Sequence, residues 1–413
     1  MSTLTKRPPY NLGIQAKSLP AHDSKGKFKA KEGAFLKAKA VRYELQRTAA
    51  GLLFEKDGGK RQKFRVTHCH RSIQGFGVSV YRVADGSRGR FGGLTTCGSG
   101  WTCPVCAPRI AEVRRAELSK ALVQHVQKGG RVQLMTLTFP HDADWQITEL
   151  LKRFDKARNR FINSRAFKKI LGKDGSASCI GRVASLEVTH GVNGWHPHLH
   201  VLLFVGRVLS DYETDDLKKN WVDQLFKVGL GENSKLTDMM AHALDLRGGE
   251  FAADYIAKYG HEEQWGVTSE MARNTSKNAI DEHLTPFGLL ASYMSDNARS
   301  GALFREFANA FLGKRLLTWT PGLRKLFDLG DDDSDEAAAA QPLPEEEFIG
   351  RLTPEQWKVV LERNARAELV DYAASYCIKN GQSDLDDFVT WIEKRPKTAR
   401  GWYWQPMQRK PVF

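Results

Sequence analysis

The sequence predicts an α+β protein, an antiparallel sheet with helices packed on it. Three observations carry that reading. Residues 132–139 form a run rich in apolar and β-branched residues, which suits a strand. Two further apolar runs, 180–189 and 196–205, flank Gly191-Val192-Asn193-Gly194, a sequence that permits positive φ and reads as a hairpin turn. Segments with helical spacing, 107–128, 147–171, 211–228 and 250–259, alternate with these strands and with a short strand at 241–246. The resulting core order is strand, helix, hairpin, helix, strand, helix.

The remaining elements follow along the chain. Residues 1–32 are polar and basic and read as a flexible arm. Phe35, Leu36, Val41, Leu45 and Leu52 sit near helical spacing and predict a helix over 33–54. Residues 78–81 and 91–94 read as strands. The helix 107–128 stops at Gly129-Gly130. Leu150, Leu151, Phe154, Phe161 and Ile162 give the basic helix 147–171 an apolar face. Residues 286–327 read as helical with a break at Trp319-Thr320-Pro321-Gly322, and 328–347 as an acidic, exposed linker. One more helix is expected over 354–379, before an aromatic end, Trp402-Tyr403-Trp404. The organisation expected is therefore an arm and helix (1–60), a Cys-rich segment with its helix (61–130), a core (131–285), a helical extension (286–327), an acidic linker (328–350) and a helical C-terminal tail (351–413).

With 413 residues and a net charge of +14, the chain has room for a large core and favours a polyanionic partner, nucleic acid or a membrane surface. It has no early apolar leader region and no run of about 18 apolar residues, so a soluble, cytoplasmic protein with no membrane partner is expected. Three of its six cysteines are clustered, which in a cytosolic chain reads as metal binding before disulfides. In Cys103-Pro104-Val105-Cys106 two thiolates reach one Zn²⁺. Cys97 is near enough to be a third ligand. Cys69 is chosen as the fourth, with His70 or His68 as substitutes. A redox pair is the rival reading of a lone Cys-x-x-Cys.

His198 and His200 stand two apart on one strand, so both rings face one side while Leu199 faces the other. If the hairpin turns at Val192-Asn193, Glu187 lies opposite His198. Two imidazoles and a carboxylate suit a divalent ion with open positions, Mg²⁺ or Mn²⁺ before Zn²⁺. Tyr255 and Tyr259, four apart, share a helix face with Lys258 beside it. Taken alone, such a pair is more readily a core aromatic pair than a pair of nucleophiles.

Trp195-His196-Pro197-His198-Leu199-His200, followed by an apolar run, resembles the His-hydrophobe-His motif of rolling-circle replication initiators. These are single-strand DNA endonucleases of small plasmids, phages and some transposons. The resemblance covers roughly residues 65–325 and implies the His-hydrophobe-His nickase fold, with a Cys-rich zinc-binding insertion and a helical C-terminal region. It implies that His198 and His200 bind the catalytic ion and that 132–139 is the family's Thr-rich first motif. Tyr255-Ile256-Ala257-Lys258-Tyr259 is similar to the third motif, where tyrosine attacks DNA. Phage-type members carry two tyrosines at this spacing; a plasmid branch keeps the second, which aligns with Tyr259. Many members also carry a Cys-rich zinc segment ending in Cys-Pro-x-Cys before an Arg-containing helix. The activity implied is nicking of origin DNA, with a 5′-phosphotyrosine and a free 3′-OH that primes synthesis. The partners implied are single-stranded origin DNA and the host helicase and polymerase. A transposase of the same chemistry, a non-catalytic zinc-dependent DNA-binding regulator and a zinc hydrolase using water are the competing readings.

Overall fold

The computed structural model describes residues 34–55, 62–83, 88–249, 252, 283–330, 334–341, 345–375 and 381–397. Its elements in chain order are α1 (Ala34–Leu52), β1 (Val78–Val83), β2 (Gly89–Gly92), α2 (Cys106–Gln127), β3 (Arg131–Leu137), α3 (Ile147–Asn163), α4 (Arg165–Leu171), β4 (Gly181–Gly191), β5 (Gly194–Val205), α5 (Asp211–Lys227), α6 (Leu236–His242) and β6 (Leu244–Arg247). There follow α7 (Pro286–Met294), α8 (Ala298–Ala310), β7 (Thr318–Trp319), α9 (Leu323–Leu326), α10 (Asp335–Ala340), β8 (Glu346–Leu352), α11 (Pro354–Glu362), α12 (Arg366–Ser375) and α13 (Gln382–Glu393).

The strands form two antiparallel sheets, a five-stranded one in the order β6-β3-β5-β4-β7 and a three-stranded one in the order β2-β1-β8. The protein is α+β, as the alternation of its segments predicts. Side-chain alternation on β5 divides the larger sheet. Leu199, Val201 and Leu203 pack with Phe154 and Phe161 of α3 and Trp221 of α5. Leu202 and Phe204 face the other way, against Leu118 of α2 and Phe327. That second face is covered at the Phe204 end, and at its other end it carries the histidines.

Several boundaries differ from the sequence pattern for local reasons. The helix expected over 147–171 is two helices, because Ser164 adopts an extended backbone and its side chain accepts from Phe167 N–H, capping α4. The helix expected over 354–379 also breaks, at Asn364, whose φ of 52° lies in the left-handed region. Trp319, read as part of a helix break, supplies the edge strand β7 beside Val183.

The acidic stretch is not the exposed linker its charge suggests. Ala338 and Ala339 of α10 are buried in the main core, and Asp335 accepts from buried Arg114 of α2 at 3.1 Å. Glu336 pairs with Arg65. Alanines let α10 approach closely, and Gly98 completes the fit, since a Cβ there would collide with Glu336. Further on, β8 pairs with β1 from Val78↔Leu352 to Val83↔Glu346. Residues 345–397 therefore build a second core with 78–94, in which Val80, Phe91, Trp357 and Phe388 meet.

Candidate functional site

Strands β4 and β5 form the central hairpin, closed at Gly191↔Gly194. Gly194 has φ of +80°, and a Cβ there would lie 2.9 Å from Ala143 Cα, so the turn requires glycine. This closure fixes the register and sets Glu187 opposite His198 and Ser185 opposite His200. The side chains converge accordingly. His200 Nε2 lies 3.0 Å and His198 Nε2 3.2 Å from the same oxygen, Glu187 Oε2. The ring centroids stand 4.9 Å apart at nearly a right angle.

The strand beneath steadies this arrangement. Thr136, paired with His200 across β3, places its Oγ1 3.1 Å from His200 Nδ1. Without a cation His200 Nε2–H donates to Glu187; with one, a proton moved to Nδ1 and donated to the Thr136 hydroxyl would free the Nε2 lone pair for the ion. Burial would push the Glu187 carboxyl up, but hydrogen bonds from His198 and His200 outweigh it and hold the group well below the usual carboxylate range. An anionic oxygen flanked by two imidazole nitrogens is a donor set that fits a divalent cation.

A third histidine of the motif has other contacts. His196 Nε2 lies 3.2 Å from Thr138 Oγ1, and its ring stacks on His141 at 4.6 Å. Burial, with His141, His198 and His283 close by, pulls it down to about 4. No pattern in the sequence marks His141; it follows the end of β3 and meets His196 only once the sheet forms.

Tyr255, Tyr259 and Lys258 lie outside the described residues, but both flanks of their segment are described. Ala252, whose N–H donates to Gly248 O, is buried with Leu202 and Phe204. That is the sheet face carrying His198 and His200. On the far side, Leu284 bridges to His190, and the His283 ring lies 5.9 Å from His196.

The second cluster is closed. Cys69, Cys97, Cys103 and Cys106 are all buried and unpaired, with their sulfurs within 4.8 Å of one another. Cys69 Sγ lies 3.4 Å from Cys106 Sγ and 3.7 Å from Cys103 Sγ, and Cys97 Sγ lies 3.7 Å from Cys106 Sγ. Four sulfurs around one Zn²⁺ stand about 3.8 Å apart when each Zn–S bond is about 2.3 Å, so the spacing fits the ion. Backbone N–H groups of Cys97 and Ser99 donate to Cys69 Sγ and Cys97 Sγ, as suits anionic sulfur. Burial pushes the Cys69 thiol well up, and the neighbouring sulfurs push Cys97 up. For Cys103, burial is outweighed by hydrogen bonds from the other three, which hold it well down. A divalent ion would let all four sulfurs be anionic. His68 and His70 contribute no atom to the group; His70 is half-buried, and desolvation lowers it to about 4.

Residues 93–229 match the protein family described as replication protein. The matched stretch holds both ends of the geometry just described, from Cys97, Cys103 and Cys106 to Glu187, His198 and His200. The chain is 27% identical over 321 residues to a protein named Protein rep of Streptomyces lividans, covering 63% of this chain and 70% of that one. It is 32% identical over 152 residues to a neomycin resistance protein of Streptomyces cyanogenus, covering 32% of this chain and 35% of that one. No solved structure matches. Among the described residues, no helix is long and apolar enough to cross a membrane.

Proposed function

We propose that this chain initiates rolling-circle replication of a plasmid by nicking and rejoining single-stranded origin DNA. The observation that carries the proposal is the convergence of His198, His200 and Glu187 on one sheet face. Both flanks of the Tyr255–Tyr259 segment approach that face, next to the stretch that matches the replication-protein family.

His198, His200 and Glu187 would hold a Mg²⁺ or Mn²⁺ ion. When bound, the ion supplies positive charge against a non-bridging phosphate oxygen. Thr136 orients His200, and the fixed register keeps the three donors together without reorganisation. Tyr259 is the initiating nucleophile and Tyr255 the second. The tyrosyl oxygen attacks phosphorus; an O–P bond forms, the bond from phosphorus to the 3′ oxygen breaks, and that oxygen takes a proton to become a 3′-OH. The phenolic proton leaves to solvent. Lys258 offsets phosphate charge. The 5′-phosphotyrosine conserves the bond energy, so a later 3′-OH reseals the strand by the reverse exchange. The 3′-OH meanwhile primes a host polymerase behind a host helicase in the cytoplasm.

Cys69, Cys97, Cys103 and Cys106 would hold Zn²⁺, which would tie the start of α2 to the segment before β1. Target recognition falls to the basic helices and the N-terminal arm, where phosphate contacts position the strand.

The test is incubation with Mg²⁺ or Mn²⁺ and labelled single-stranded DNA bearing the origin of its own replicon. A denaturation-resistant adduct is expected in the unaltered chain. Tyr259→Phe reduces it and the Tyr255→Phe/Tyr259→Phe double variant abolishes it. A full-strength adduct in the double variant, or no adduct with the cognate origin, would sink the covalent mechanism and leave a DNA-binding regulator.

A further inference from the structure

Arg366 opens α12 in the C-terminal unit, yet it is only 3% exposed. Its Nη1 donates to Gln46 Oε1 at 2.7 Å and to His70 O at 3.2 Å, and its Nη2 to Tyr43 O at 3.4 Å. The guanidinium lies over the Tyr43 ring at 4.3 Å. All three acceptors are neutral, and among the described residues Arg366 has no ion pair. Tyr43 is no counter-ion at neutral pH, since burial pushes its hydroxyl up to about 12. Glu44 acts on the guanidinium from beyond ion-pair distance, but that carboxylate is already engaged by Arg47 and Asn364, and a buried cation with so little direct compensation is costly on general grounds.

The missing charge lies one side chain away. Gln46, fully buried, spends its amide on the cysteine cluster. Nε2 donates to Cys69 O at 2.7 Å and reaches Cys103 Sγ at 3.8 Å. Through Gln46 the guanidinium is thus coupled to two of the four cysteines. Four thiolates around one divalent ion carry a net charge of −2, whereas four thiols carry none.

We propose that Arg366 is the counter-charge of the four-cysteine site, so that metal loading and seating of the C-terminal unit are thermodynamically linked. This rests on reading the cysteine cluster as a zinc site. Arg366 acts through Gln46 and is a positioning residue. Linkage is reciprocal, so the loaded site holds α12 in place and a seated α12 tightens the site.

The experiment is a Co²⁺ titration of the full chain, followed by the sulfur-to-metal charge-transfer band in the near ultraviolet. An ion at the histidine site is silent in that band. Arg366→Met is expected to weaken Co²⁺ binding by about tenfold or more, as loss of an outer-shell partner does. Arg366→Lys should recover part of that loss. Leu385→Ala, which loosens the core that seats α12 and leaves the charge, should weaken Co²⁺ binding as well, but by less than Arg366→Met. In the unaltered chain, stripping the metal should speed hydrogen exchange across 366–375. Unchanged Co²⁺ affinity in Arg366→Met overturns the proposal. Should that variant fail to fold, exchange over 366–375 that does not respond to metal removal overturns it. An unaltered chain that never develops the band defeats the zinc reading itself.

Discussion

The two clusters use opposite designs. The cysteine site draws ligands from two distant stretches, buries all four and is backed by Gln46 of α1, whose amide reaches Cys103 Sγ. The histidine site draws three donors from one hairpin and leaves them partly open, with Glu187 more than a third exposed. A closed tetrahedral set suits an ion that holds structure, and an open, three-donor set suits one that meets a substrate. The difference teaches where each site fails. Breaking the first should unfold the chain, while breaking the second should silence a folded one.

The largest effect is expected from Cys103→Ser. It should lose the tightly held ion by elemental analysis and melt or lose cooperative unfolding by calorimetry, since structural zinc supplies on the order of 10 kcal/mol in small domains. A variant that keeps the melting point of the unaltered chain would remove the contrast. Next is Glu117→Ala, a test with no metal in it. Glu117 sits between Arg114 and Arg324, both nearly buried, at 3.0 Å from each. Removing it takes the shared carboxylate from both, leaving Arg114 with Asp335 and Arg324 with the Leu329 carbonyl, and should cost about 3 kcal/mol in denaturant unfolding. That loss separates ion-pair stability from metal stability.

His200→Ala is expected to behave the other way, lowering DNA cleavage on the order of 10²–10³-fold while shifting stability by no more than about 1 kcal/mol. Cleavage kinetics beside a melting curve measure both. Mild chelation should reproduce this variant reversibly and leave the cysteine-bound ion in place, as elemental analysis before and after would record. The smallest effect is a pH slope. His196 is held down to about 4 from an ordinary 6.5. The unfolded chain therefore binds a proton there first, so stability is full above about 6.5 and falls as the pH drops toward 4. In His196→Gln, without added Mg²⁺, the fall in melting temperature over that range should be shallower.

Much of this was legible because it is local. Period-two alternation and Gly191-Val192-Asn193-Gly194 specify the hairpin, and its register places Glu187 against both histidines without any distant contact. Ser210 and Glu213 mark the start of α5, where they form a reciprocal cap. What escaped is tertiary. Charge made 328–350 read as solvent-exposed, but buried Arg114 gives Asp335 a partner and Ala338 and Ala339 need none. Nothing adjacent in sequence marks β8 as the neighbour of β1, and Gln46 and Arg366 carry no motif. Ser164 and Asn364 broke two helices because capping and a left-handed backbone override an apolar stripe.

The pairing of Val83 with Glu346 also bears on how the protein is made. Strand β1 leaves the ribosome early, and at about 5–20 residues per second its partner follows only after tens of seconds. Through that interval β1 has one free edge, and Val80 and Phe91 have no Trp357 or Phe388 to cover them. The five-stranded sheet, complete by residue 319, has no such wait. The nascent chain therefore assembles its histidine site first and seals its cysteine site last, when Arg366 arrives.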